Sequence, residues 1–221
     1  MQNVGTVVAL GAAPTRAAAR LDAAELASDV LFQSEDLFSR LKRTDAGSLL
    51  LLLAGAADDP ALAAASKAAA ILQRRGGGQA ILVLPPVSAI PGPQARGRLQ
   101  RAAGLTGACV LQPVGAASWD DAVRCFLEPL AIFGLVGVDR REIHALVRPR
   151  AGLLHLWEDR SLDRSLREAR EVLVSCRLRP SATLAEVDAA AQRVTSATDA
   201  PLVLAGPEVE TGPRAIAAVL F

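Results

Sequence analysis

Apolar positions along this chain fall into short unbroken runs that end in turn residues, separated by longer stretches of helical composition. Residues 4–11 (VGTVVALG) form a β-branched run closed by Gly, and residues 13–27 follow with helical composition. Residues 29–34 (DVLFQS) predict a short strand and 35–43 a helix. The run 48–55 (SLLLLLAG) is apolar at consecutive positions, which predicts a strand buried on both faces. Residues 59–75 predict a helix with Asp59 as N-cap and Pro60 at its first position, closed by the glycines at 76–78. Strands at 79–86 and 108–114 flank a helix at 93–104. Strands alternating with helices in this way predict a parallel sheet covered on both faces.

The second half begins with an apolar helix, SWDDAVRCFLEPLAIF (118–133), which Pro129 can kink. The stretch GLVGVDRREI (134–143) leads into a further helix. Asp139 can cap that helix, with Glu142 three residues on in the capping-box position. After Pro149 the rhythm changes. Strand-like runs at 151–159, 171–179, 200–206 and 214–221 alternate with helices at 161–170 and 183–195, the latter opened by a Thr183–Glu186 capping box. His155, alternating with Leu154 and Leu156, is placed on the less buried strand face, and His144 on a helix surface or partly buried. The pattern describes a Rossmann-like α/β sheet with flanking helices, a central connecting helix and a smaller C-terminal α/β domain. The divisions fall at 1–117, 118–150 and 151–221.

Composition narrows the function classes. The 221 residues are 51% hydrophobic, enough for a folded core. A net charge of +1 and the lack of interleaved basic and aromatic residues speak against nucleic acid. The longest apolar run, LLLLLAGAA, is too short to cross a bilayer, so direct membrane insertion is not expected, and no signal-peptide pattern opens the chain. Three dispersed cysteines without a CxxC imply reduced thiols and a cytoplasmic location. His144 and His155 have no ligand spacing with them, so no metal site is expected.

In a sheet of this kind ligands sit at the carboxyl ends of the strands, and two loops occupy that place. The first, LGAAPTRAA, offers only Gly11 where a phosphate loop needs several glycines, and Pro14 has no N–H. The second, AGAADDPALAA, places Asp58 and Asp59 at a helix start. A phosphate there meets like charge at a cost of roughly 1–4 kcal/mol per contact. Those two acids are either a Mg²⁺ ligand pair or N-capping residues, and Pro60 favours capping. The RRGGGQA run closes a helix and is a C-terminal turn. No GxSxG, GxGxxG, Walker lysine or Cys–His neighbour is present.

Gly134 to Ile143 resembles the catalytic loop of the bacterial tubulin homologue FtsZ, which reads approximately G-L-I-N-V-D-F-A-D-V against G-L-V-G-V-D-R-R-E-I here. The first family Asp falls on Asp139, the second on Glu142, and the family Asn on Gly137. The resemblance extends over 171–194, similar to the family's strand, turn and helix, and over 200–221, similar to its final hairpin-like strands. Residues 48–86 resemble the strand, glycine loop, helix and strand that carry the family signature. The departures lie in the nucleotide contacts. The signature G-G-G-T-G-T-G falls on Gly55 to Pro60 as G-A-A-D-D-P, and the first glycine loop, Gly11 to Thr15, is also degraded. Pro91 stands near the ribose-contacting Glu, Arg96 matches its Arg, and only Asp120 or Asp121 stand near the guanine-recognising Asn.

In the family, filaments grow head to tail and one subunit's loop completes the GTP site of the next. The resemblance therefore implies a degenerate FtsZ-like pseudo-GTPase in cell division or a membrane-associated cytoskeleton. It keeps part of the donated loop (Gly134, Leu135, Gly137, Asp139 and Glu142) and only remnants of a nucleotide site (Gly11, Gly55 and Arg96). Its partner would be an FtsZ or FtsZ-like filament, or another copy of itself, with no cofactor. The alternatives are a divergent GTPase that binds GTP or GDP with Mg²⁺ and self-polymerises, and a nucleotide-free self-assembling structural protein.

Overall fold

The computed structural model describes residues 5–10, 14, 29–32, 37–43, 49–56, 58–75, 78–132, 134–209 and 215–221. Among the described residues ten strands lie side by side: β1 (Gly5–Leu10), β2 (Asp29–Phe32), β3 (Leu49–Ala54), β4 (Gln79–Val83), β5 (Cys109–Pro113), β6 (Gly134–Val136), β7 (Ala151–Leu156), β8 (Glu171–Cys176), β9 (Leu202–Pro207) and β10 (Ala215–Leu220). Their order is β2-β1-β3-β4-β5-β7-β10-β8-β9-β6. Nine make the main sheet; β6 pairs antiparallel only with the last residues of β9. β7 pairs parallel to β5, so the change of rhythm at Pro149 adds strands to the same sheet. β10 is antiparallel to both β7 and β8.

The helices are α1 (Leu37–Leu41), α2 (Asp59–Arg74), α3 (Pro93–Thr106), α4 (Trp119–Ala131), α5 (Arg140–Leu146), α6 (Leu162–Leu166) and α7 (Leu184–Ala197). Alternation along each strand assigns its side chains to two faces. Leu49, Leu51 and Leu53 pack with Val123, Phe126, Leu127 and Ile143 under α4 and α5. Leu50 and Leu52 pack with Ala65, Ala68, Leu72 and Leu99 under α2 and α3. Farther along, Val172 and Val174 meet Leu162, Leu166, Val187 and Val194 under α6 and α7. Covering both faces explains the run of five leucines in β3, none of which keeps more than 1% exposure.

Three readings of the sequence need correction. The N-cap of α2 is Asp58, one residue earlier than expected. Its Oδ1 accepts the Ala61 N–H at 3.0 Å, while Asp59 and Pro60 are already helical. His155 is fully buried, because α6 covers the face of β7 and β10 that strand alternation left open. β9 and β10, neighbours in sequence, do not form a hairpin; β8 runs between them and takes up the edges of both. The expected helix at 13–27 lies outside the described residues apart from Pro14.

Cys109, Cys125 and Cys176 are free and buried. Burial pushes the Cys109 and Cys176 thiols up to about 12 and raises Cys125 as well, so all three are neutral packing groups. Among the described residues no helix is long and apolar enough to cross a membrane.

Candidate functional site

The carboxyl ends of β1 and β3 and the start of α2 occupy the place expected of a ligand site. Gly11 lies outside the described residues. Gly55 is exposed, but its N–H donates to the Leu10 carbonyl at 2.9 Å. A Cβ on it would lie 3.2 Å from that oxygen and 3.4 Å from Pro14 Cδ. The Gly55 amide is therefore already taken by the chain itself. The start of α2 is similarly spent. Pro60 has no N–H, Ala61 donates to the Asp58 carboxylate, and Leu62 donates to the Asp58 carbonyl at 3.1 Å. Of the first four helical residues only Asp59 keeps an amide for another acceptor, and its own carboxylate stands beside it. The negative charge that a helix start attracts is thus supplied by the chain.

Arg96 does not reach this loop. It sits on α3, donates from Nε to the Pro91 carbonyl at 3.1 Å, pairs with Glu168, and lies 5.4 Å from the Phe221 ring. Asp121 closes a capping box with Ser118 at the start of α4, accepting the Ser118 N–H at 2.9 Å. Asp120 is half-buried beside it. Among the described residues no three of His, Cys, Asp and Glu come together as a metal cluster.

The second group of residues is built differently. α5 begins with a reciprocal box: Asp139 Oδ1 accepts the Glu142 N–H at 2.8 Å, and Glu142 Oε2 accepts the Asp139 N–H at 2.7 Å. Each carboxylate spends one oxygen on the cap and keeps the other in solvent, since both residues are exposed. Ile143, Leu146 and Val147 anchor α5 in the core under α4. Leu135 is 50% exposed, an apolar side chain offered outward from a strand of only three residues. A Cβ on Gly137 would meet nothing within 4 Å, so the loop is open there. Gly134 is the opposite case: a Cβ would run into the Gly206 carbonyl oxygen, because β6 and β9 pair at close approach there.

The two groups are not brought together within one molecule. β3 stands third in the sheet and β6 tenth. Seven positions in the strand order separate them, and no hydrogen bond or ion pair joins them among the described residues.

Two buried polar groups escaped the sequence reading. Glu128, 1% exposed, accepts Arg177 Nε at 2.7 Å and Arg177 Nη2 at 3.1 Å, with Arg124 Nη1 at 3.1 Å on the same carboxylate. This ion pair ties α4 to the end of β8. The available signal was a carboxylate set between Leu127 and Pro129 in an apolar helix.

The second is His155. Its Nδ1 lies 3.2 Å from Ser161 Oγ and 3.6 Å from Asp159 Oδ2. Serine and carboxylate approach the same ring nitrogen, so no Ser–His–Asp relay exists. Asp159 also rests on Gly115, at φ +66°, where a Cβ would lie 2.6 Å from its Oδ2; both the backbone angle and the contact call for glycine. Burial lowers the His155 pKa against the opposing pull of Asp159, and burial with Arg140 lowers that of His144. A histidine held neutral when folded takes up a proton on unfolding. Its stabilisation is therefore complete above the unfolded value near about 6.5 and is lost as pH falls below it. The thermal midpoint is expected to be lower at pH 5.5 than at pH 7.5, with a smaller difference in His155→Gln; circular dichroism melts at the two pH values check this.

No protein-family model and no curated protein matches the sequence. Solved structures do match in shape. An empty FtsZ dimer from M. jannaschii aligns with a TM-score of 0.69 at 14% identity, over 100% of this chain and 88% of that one. A tryptophan-to-tyrosine mutant of FtsZ from M. jannaschii aligns with a TM-score of 0.66 at 15% identity, over 99% and 90%. The chain has an FtsZ/tubulin-like fold.

Proposed function

We propose that this chain is a non-hydrolysing interaction partner of an FtsZ- or tubulin-like filament, docking through the segment Gly134 to Glu142. The observation that carries the reading is the contrast between the two half-sites. At the start of α2 Pro60 has no N–H and Asp58 takes the Ala61 and Leu62 amides, whereas Leu135, Gly137, Asp139 and Glu142 remain exposed at an anchored helix start. A protein so built can present a loop to a neighbour's nucleotide without holding a nucleotide of its own.

The test is co-sedimentation with GTP-assembled FtsZ filaments from the same cell, together with their GTPase rate. The chain is expected to pellet with filaments, and Leu135→Asp is expected to abolish pelleting. Asp139→Asn keeps the cap, since Asn is an equivalent N-cap residue. It is therefore expected to pellet but to change the effect on hydrolysis. No pelleting and an unchanged rate at saturating protein would overturn the proposal. Calorimetry with GTP, GDP and Mg²⁺ tests the rival reading, a divergent GTPase: binding heat at micromolar nucleotide would favour it.

A further inference from the structure

The outer surface of α2 and α3 is basic and bare. Residues 60–119 contain six Lys and Arg and no Asp or Glu. α3 turns Leu99, Ala102, Ala103 and Thr106 inward, which leaves Arg98, Arg101 and Leu105 on one exposed stripe. Leu105 is 71% exposed, more than any other large apolar side chain among the described residues. Neither Arg98 nor Arg101 has an ion-pair partner among the described residues. On α2, Lys67 and Arg74 are exposed, and Lys67 Nζ rests 4.0 Å from the centre of the Phe38 ring. Gln73 Nε2 would lie 3.6 Å from a Cβ on Gly107, so the last turns of the two helices lie together, with Arg74 on one and Leu105 on the other. Gly97 and Gly104 are exposed within α3, and a Cβ on either would meet nothing within 4 Å. Glycine inside a helix costs stability, and packing requires neither of these two. Their effect is a helix surface with no side chains between its cations.

The surrounding acids leave this face uncompensated. Asp58 and Asp59 sit at the far end of α2. Glu168 reaches α3 at Arg96, which it pairs, and Glu171 pairs with Arg150 at 2.8 Å. Asp199 precedes β9, four places from β5 in the strand order. Arg40, Lys42 and Arg43 add no net charge, because Glu35, Asp36 and Asp45 flank α1 in sequence. We propose that the outer face of α2 and α3 binds the surface of an anionic lipid bilayer, with Lys67, Arg74, Arg98 and Arg101 on the headgroups and Leu105 entering between them. A bilayer surface asks for no fixed geometry, and exposed cations around one apolar side chain are what it holds. Nucleic acid fits less well, because the stripe offers a leucine and no aromatic side chain for base stacking. The contact is adsorption: no described helix is long and apolar enough to cross a membrane. α2 and α3 cover the sheet face of Leu50 and Leu52, whereas α4 and α5 cover that of Leu49, Leu51 and Leu53. Membrane binding therefore neither uses nor requires docking through Gly134 to Glu142.

Vesicle flotation with the whole purified chain is the test. Binding is expected to vesicles of about one-third phosphatidylglycerol at about 50 mM salt, and at least about tenfold weaker binding at about 500 mM. Pure phosphatidylcholine vesicles are expected to float without it. Arg98→Gln with Arg101→Gln is expected to lower the partition coefficient about fivefold per charge removed. Leu105→Ser is expected to weaken binding severalfold and leave its salt dependence in place. Arg160→Gln with Arg179→Gln removes equal charge from exposed positions outside this face and is expected to change nothing. Lys67→Gln with Arg74→Gln repeats the loss from α2, so a folding defect in the α3 variant would not hide the result. Absence of binding at low salt, equal binding to neutral vesicles, or equal losses in the α3 and outside pairs would overturn the proposal. Retention of duplex DNA through Arg98 and Arg101 without vesicle binding would also overturn it.

Discussion

Arg177→Met is expected to cost the fold about 3–5 kcal/mol, seen as a lowered urea midpoint with an unchanged slope. The reason is geometric. The Glu128 carboxylate keeps 1% exposure and takes two hydrogen bonds from the Arg177 fork, at 2.7 and 3.1 Å. Without that fork a buried charge keeps only Arg124, whose side chain is 30% exposed and whose hold is weakened by solvent. The converse experiment separates the charge from the packing. Glu128→Leu combined with Arg177→Met removes both ions together, and replacing a buried pair by apolar groups is often neutral or stabilising. The double variant is therefore expected to be more stable than the single one. A single variant within about 1 kcal/mol of the parent would mean that water reaches Glu128 after all.

The same pair shows where the sequence stops speaking. The capping boxes at Asp139–Glu142 and Thr183–Glu186 were readable because their partners are three residues apart, and both exist in the fold. Nine of the ten described strands were readable as contiguous apolar runs; β6, three residues long, was read only as the lead into a helix. Glu128 and Arg177 lie 49 positions apart, and no local period connects them. His155 failed for a related reason: alternation separates two faces but cannot say that α6 closes the second. The strand order at the end of the chain was misread because adjacency in sequence favours a hairpin, while β8 satisfies the backbone of both β9 and β10. At the candidate site the scarcity of glycines was legible at Gly55 to Pro60. That the Gly55 N–H is spent on Leu10 was not, because the acceptor belongs to another strand.

Gly134 and Gly137 lie three residues apart in the same loop and are expected to respond in opposite ways. In Gly134→Ala the new methyl would overlap backbone: the Gly206 oxygen, its carbonyl carbon at 2.6 Å and Pro207 Cα at 2.7 Å. None of these atoms can turn aside as a side chain would, so β6 must leave β9. The expected cost is about 3 kcal/mol, the upper end of ordinary overpacking. It is expected to be concentrated in faster amide exchange at 134–139, with the core strands still protected. A Cβ at Gly137 meets nothing within 4 Å, and Gly137→Asn places there the residue type of the FtsZ loop that this stretch resembles. Its stability is expected within about 1 kcal/mol of the parent, on the favourable side if the unfolded chain loses freedom. Hydrogen exchange and filament pelleting measured on both variants then separate scaffold from contact. If the loop is the docking element, Gly134→Ala loses pelleting while the protein stays folded, and Gly137→Asn keeps or strengthens it. Loss of pelleting in neither variant would place the contact elsewhere on the surface, whereas a global collapse of Gly134→Ala would show that β6 braces the whole sheet edge and not the loop alone.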